Sequence, residues 1–242
     1  MEIIPWLLDT NPAPLWPASI VGWLSWVVFL GLLLWLVWSW RHYQALWDQR
    51  AWTIFAALAI LTPLASLVLG FRLPAGAALP PPGVPQDPRG PALMLLSSLP
   101  WLLAGGILGP LGAAVLGGFS GIFRFIWDTR NVFSPLELAL LGALFSAAVR
   151  QRYRTGMFRL LREPLVAVSA LALLYAPLYI IDSSLAASGT LEARLDYAIT
   201  SAQYPLLAVA GELLIAGLFA QVLAVTFPAA WGRRLPLQPV RR

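Results

Sequence analysis

Residues 92–127 carry one charge, Arg124, and four further stretches are just as bare: 16–40, 51–71 and 164–181 have none, and 204–227 has only Glu212. A helix that crosses a bilayer needs roughly 20 consecutive apolar residues. In lipid every backbone N–H and C=O must be satisfied within the protein, which leaves helices and closed barrels as spanning structures. The composition agrees, with 59% hydrophobic and 11% charged residues, against about 25% charged in a soluble domain. The sequence therefore predicts an all-α, polytopic integral membrane bundle, in one transmembrane domain over 1–242.

The arginines orient it. Five of them crowd between Arg150 and Arg162, and short loops rich in Lys and Arg stay cytoplasmic. The loop 41–50 is basic by the same reading. Two cytoplasmic loops must be separated by an even number of crossings, so the stretch 92–127 splits at the Gly/Pro-rich GGILGP of 105–110. The expected spans are 16–40, 51–71, 92–105, 109–127, 134–149, 164–181 and 204–227. These are seven crossings, with the N-terminus outside and the C-terminus cytoplasmic. The two pieces of 92–127 are short, so tilt or local thinning is expected. Residues 1–15, with Trp6, read as an outer interfacial segment. The Pro-rich stretch 73–91 reads as an extended outer loop, and 228–242 as a basic cytoplasmic tail. The start has acidic residues and no basic n-region, so no cleavable signal peptide is expected.

Several chemistries are excluded. There is no Cys, hence no disulfide or thiolate metal site, and no metal or cofactor site is expected. The net charge of +5 sits in loops beside spans and is no nucleic-acid footprint. GFSG at 118–121 is similar to the serine motif of rhomboid proteases. The single His, His42, lies in a cytoplasmic loop, so Ser120 has no base within reach, and no enzyme is expected.

Four polar residues remain as candidate ligand-binding positions: Arg124, Asp128, Glu137 and Glu212. Arg124 lies near the outer end of its helix, where it either snorkels to the headgroups or offers its planar fork to an anion. Asp128 and Glu137 fall on the same outer rim. Glu137 also fits a capping box opened by Ser134 with Pro135 in the first turn. Glu212 is an intramembrane acid, which needs a partner; Arg124 is one candidate, and a hydrogen bond that only holds the bundle is the alternative. Gly109, Ala113, Gly117 and Gly121 recur every fourth residue, one smooth helical face. That face either packs closely on a neighbouring helix or lines a cavity.

The run Gly109, Pro110, Gly112, Gly117, Gly121, Arg124 resembles the five-transmembrane receptor domain of LytS-type sensor kinases, over about residues 92–150. The resemblance implies a membrane input domain of a prokaryotic inner membrane that detects a small ligand or an envelope state; Arg124 is the position suited to a small carboxylate. Residues 1–242 hold no kinase domain. The chain is then either a fragment of a longer receptor or a stand-alone relative that signals through a partner. The expected function is non-catalytic sensing. Expected partners are the lipid bilayer, a small anionic ligand, and a cytoplasmic signalling partner or a second copy. A small-molecule transporter or its substrate-binding subunit is one alternative, since vitamin-transporter subunits show similar GP turns. A structural subunit of a membrane complex is the other.

Overall fold

The computed structural model describes residues 16–17, 19–45, 47–74, 90–153 and 155–231. The expected interfacial segment 1–15, most of the Pro-rich loop and most of the basic tail lie outside the described residues. The described chain is a helical membrane bundle. Its helices are α1 (Ile20–Ser39), α2 (Gln49–Leu67), α3 (Leu99–Ile107), α4 (Pro110–Arg124), α5 (Ser134–Arg150), α6 (Gly156–Leu160), α7 (Pro164–Ala186), α8 (Leu191–Thr200) and α9 (Gln203–Thr226). Five helical stretches are long and apolar enough to cross a membrane: α1, α2, α4 continued to Thr129, α7 and α9.

Local chemistry starts and stops these helices. The Ser19 hydroxyl accepts from Gly22 N–H at 3.1 Å and the Asp48 carboxylate from Ala51 N–H at 2.8 Å, each covering an orphan donor of a first turn. Pro110 and Pro164 open α4 and α7, where the missing N–H costs nothing. Gly109, with φ +110°, makes the turn between α3 and α4, a conformation reserved for glycine. It therefore stands outside the helix and off the predicted four-residue ridge.

The expected span 92–105 is not one helix. Ala92–Met94 form strand β2, antiparallel to β1 (Gly70–Arg72), with Phe71 opposite Leu93. A turn follows, and α3 has nine residues. At 1.5 Å per residue that is about 14 Å, under half of the roughly 30 Å hydrocarbon layer. Irregular backbone at membrane depth survives only inside protein, and Ala92, Met94, Ser97 and Ser98 are all buried. The stretch between the expected spans 164–181 and 204–227 is largely helical too: α7 runs on to Ala186 and α8 follows.

The core is laid down around α3, α4, α5, α7 and α9, with Trp101, Phe145, Leu141 and Leu213 at its centre. The small residues of α4 lie on the α5 backbone. A Cβ at Gly121 would sit 2.5 Å from Pro135 Cα, and one at Gly142 of α5 would sit 2.5 Å from the Ala113 carbonyl oxygen. Packing, rather than a cavity, occupies this face. The first span is peripheral: only 11% of its apolar window is buried, and one anchor is the Trp26 indole N–H, donating to Val132 O at 3.1 Å.

Arg150 ties one end together. Its Nε donates to Tyr43 O at 2.7 Å, and its Nη1 to Gly106 O at 2.9 Å and Ile107 O at 3.2 Å. A cation on the last carbonyls of α3 also suits the helix dipole. Arg150→Met is expected to cost about 1.5–3 kcal/mol, the range for hydrogen bonds to a charged group. Thermal melts in detergent check this, with Arg152→Met expected to melt like the wild type; equal losses in both variants would count against it.

Candidate functional site

Two carboxylates, two arginines and the free edge of the β ribbon meet beneath the end of the bundle opposite Arg150. Leu95 N–H donates to Leu69 O and Leu73 N–H to Pro91 O, so the alternate amides, Ala92 and Met94, point away from β1. Each is taken by an acid. Met94 N–H donates to Glu212 Oε1 at 2.5 Å, and Ala92 N–H to Asp128 Oδ1 at 2.7 Å.

Glu212 is the tenth residue of α9, about 14 Å along the helix. Both of its oxygens accept from Arg124 Nη2, and Oε2 also accepts from the Ser97 hydroxyl at 3.0 Å. The Ser97 carbonyl in turn accepts from Ser120 Oγ at 3.1 Å. Ser120 thus holds the turn that carries Ser97. The second Arg124 terminal nitrogen, Nη1, donates to Asp128 Oδ2 at 3.3 Å. This i,i+4 contact crosses a π-helical turn over Phe125–Thr129, a widening often found at functional sites. Arg72 closes the far side, donating to Gly90 O at 2.9 Å and Trp127 O at 3.0 Å, with its Nη1 4.0 Å from Asp128 Oδ1.

Arg124 is 1% exposed, so it does not snorkel; its charge is answered inside the protein. A buried charge persists only when it is paired and its remaining hydrogen-bonding positions are filled. The four groups balance, two positive and two negative. Of the candidate residues, Arg124, Asp128 and Glu212 form one network.

Glu137 belongs to a neighbouring one, and not to a capping box. Helix α5 begins with Ser134 itself. The Ser134 hydroxyl pairs with Thr129 Oγ1 at 2.7 Å, while the Asn131 side chain accepts from Phe133 N–H at 3.0 Å. Asn131 thus covers the amide that the box would have given to Glu137, and Glu137 turns inward, 1% exposed. Its Oε2 accepts from the Tyr175 hydroxyl at 3.4 Å, and Asp182 of α7 is a second buried acid beside it. Asp182 Oδ2 is buried and has no hydrogen-bond partner among the described residues.

Asp182, Tyr175, Arg72 and Ser97 were missed in the sequence. A signal for two of them existed: Tyr175, Tyr179 and Asp182 stand at i, i+4 and i+7, one face of a helix. Reading Asp182 as a loop residue hid it. No protein-family model matches the chain, and no curated protein or solved structure shows a significant similarity to it.

Proposed function

We infer that the chain is a non-catalytic, membrane-embedded sensing domain that responds to a small carboxylate at its outer end. One observation carries the reading: Arg124, the Ser97 hydroxyl and the Met94 amide build a carboxylate-binding site, and the chain's own Glu212 fills it. A planar guanidinium suits carboxylates, and an external one competes with Glu212 for the same fork. Displacing Glu212 frees α9 from α4 and from the β ribbon. A ligand shifts helix packing only by preferring one arrangement, and the engaged and released states of Glu212 supply the two. Entry is beside the ribbon rather than along the small-residue face of α4, because that face lies on the α5 backbone.

The orientation belongs to the same proposal: seven passes in a prokaryotic inner membrane, with the N-terminus outside. The strand, turn and short helix of 92–107 make one pass together and α5 makes another. Arg150 bridging the loop after α1 and the end of α3 supports this, because it gathers the basic loops at one end. The signal leaves there for a cytoplasmic partner or a second copy.

Titration of the full-length protein in nanodiscs with acetate, lactate and succinate tests the reading. Arg124→Lys keeps the charge and loses the fork, and is expected to weaken binding about ten-fold or more. Glu212→Gln removes the internal competitor's charge and is expected to tighten binding about ten-fold, because more of the protein is then binding-competent. Equal affinities across all three proteins would refute it. A second reading, a proton-coupled carrier, draws on the buried acids Glu137 and Asp182, since intramembrane acids mark proton relays. Uptake into vesicles driven by a proton gradient separates the two.

A further inference from the structure

The end of the bundle that holds Arg150 carries a folded, basic and partly apolar surface that the sensing site does not use. The segment 150–162 contains five arginines and no acid. It closes on itself: Gln151 Nε2 donates to Phe158 O and Arg162 Nη2 to Tyr153 O, with the Tyr153 and Phe158 rings 5.1 Å apart. This closure turns Met157 and Leu160 outward, 72% and 60% exposed, beside Phe158 at 38%. Arg159 between them is also exposed. Partial burial, and then the neighbouring Arg159 charge, pull the Arg162 guanidinium below its ordinary pKa, a repulsion that a nearby anion relieves.

A second observation fixes the level at which this surface lies. Trp38 and Trp52 are exposed at the same end of α1 and α2, and Arg41 stands 4.7 Å over the Trp38 ring. Exposed tryptophans collect at the headgroup level of a bilayer. Arginine there meets phosphate, and apolar side chains meet the tops of the acyl chains.

We propose that the 150–162 segment is a docking surface for anionic phospholipid, with Arg152, Arg159 and Arg162 binding the headgroup phosphate while Met157, Phe158 and Leu160 insert beside its acyl chains. Charge complementarity selects an anionic lipid over a zwitterionic one. The inserted side chains select a lipid over a free phosphate. The surface stands apart from the carboxylate site and does not depend on it.

The test is binding of dansyl-labelled phosphatidylglycerol and phosphatidylcholine to the full-length protein in mixed micelles, read by energy transfer from tryptophan. Wild type is expected to prefer phosphatidylglycerol. The variant Arg152→Gln/Arg159→Gln/Arg162→Gln is expected to lose that preference, and Arg194→Gln on α8, at the opposite end, to keep it. The expected loss is about five-fold per arginine, the factor equivalent to about 1 kcal/mol for a basic residue at an anionic surface. If the triple variant fails to fold, Arg159→Gln alone, an exposed position, is expected to lose about five-fold by the same rule. Met157→Ser/Leu160→Ser is expected to weaken both lipids alike. Inorganic phosphate at millimolar concentration is expected not to displace the labelled lipid. A wild type without preference, an arginine variant that keeps it, or displacement by phosphate alone would overturn the proposal.

Discussion

Arg124→Met is expected to cost the folded bundle about 3–5 kcal/mol, the usual penalty for removing one partner of a buried ion pair. The loss comes from what stays behind. Glu212 would keep its hydrogen bonds from Met94 and Ser97 but lose the positive charge that justifies its burial. Glu212→Met is expected to cost a similar amount for the mirror-image reason, since Arg124 would retain only Asp128. The double variant Arg124→Met/Glu212→Met is expected to recover much of the loss, because two apolar side chains need no partner. Recovery is incomplete: the Met94 amide and the Ser97 hydroxyl are left without their acceptor, and Asp128 loses its contact with Arg124. The measurement is a double-mutant cycle of unfolding in SDS-containing micelles. Strictly additive single losses would show that the pair is not coupled.

Gly117→Ala is expected to be nearly as damaging despite adding one carbon. A Cβ there would overlap the Leu138 carbonyl oxygen, with the Leu138 carbonyl carbon at 2.9 Å and Ala139 Cα at 3.2 Å. All three are backbone atoms of α5 that no rotamer change can move. The helices must separate, at a cost of about 1–3 kcal/mol or more for overpacking, and the close approach that binds helices in lipid is lost. Gly118→Ala, one residue on, makes a sharp control: its nearest neighbours lie at 3.6 Å, an ordinary contact. Thermal stability in detergent is expected to fall for the first and hold for the second. Equal behaviour of the two would mean that α4 and α5 are not in this register.

Where the long apolar helices lie was readable because the hydrophobic runs are long and their interruptions are basic. Expected 16–40, 51–71 and 204–227 correspond to α1, α2 and α9 within a few residues. The strand pair was not readable: β1 and β2 are three residues each, too short for any alternating pattern. They exist because irregular backbone inside the bundle must satisfy its own amides. The Arg124–Glu212 partnership was open to inference as one of two choices, since an intramembrane acid and an intramembrane base in one small bundle each need an answer. Glu137 misled, because its spacing from Ser134 matches a local motif, and only the tertiary position of Tyr175 and Asp182 explains why it turns inward. Asp182 was lost by placing the end of α7 a turn and a half too early.

The brevity of α3 constrains how the molecule is made. A nine-residue helix preceded by a strand and a turn offers a translocon nothing to recognise as a membrane anchor, and its open amides have no place among acyl chains. It cannot wait in lipid by itself. Its partners are its own later neighbours: the Ala92 amide meets Asp128 just past α4, and the Met94 amide meets Glu212 only in α9. The two strand amides are therefore both answered only when a residue 118 positions downstream stands beside Met94.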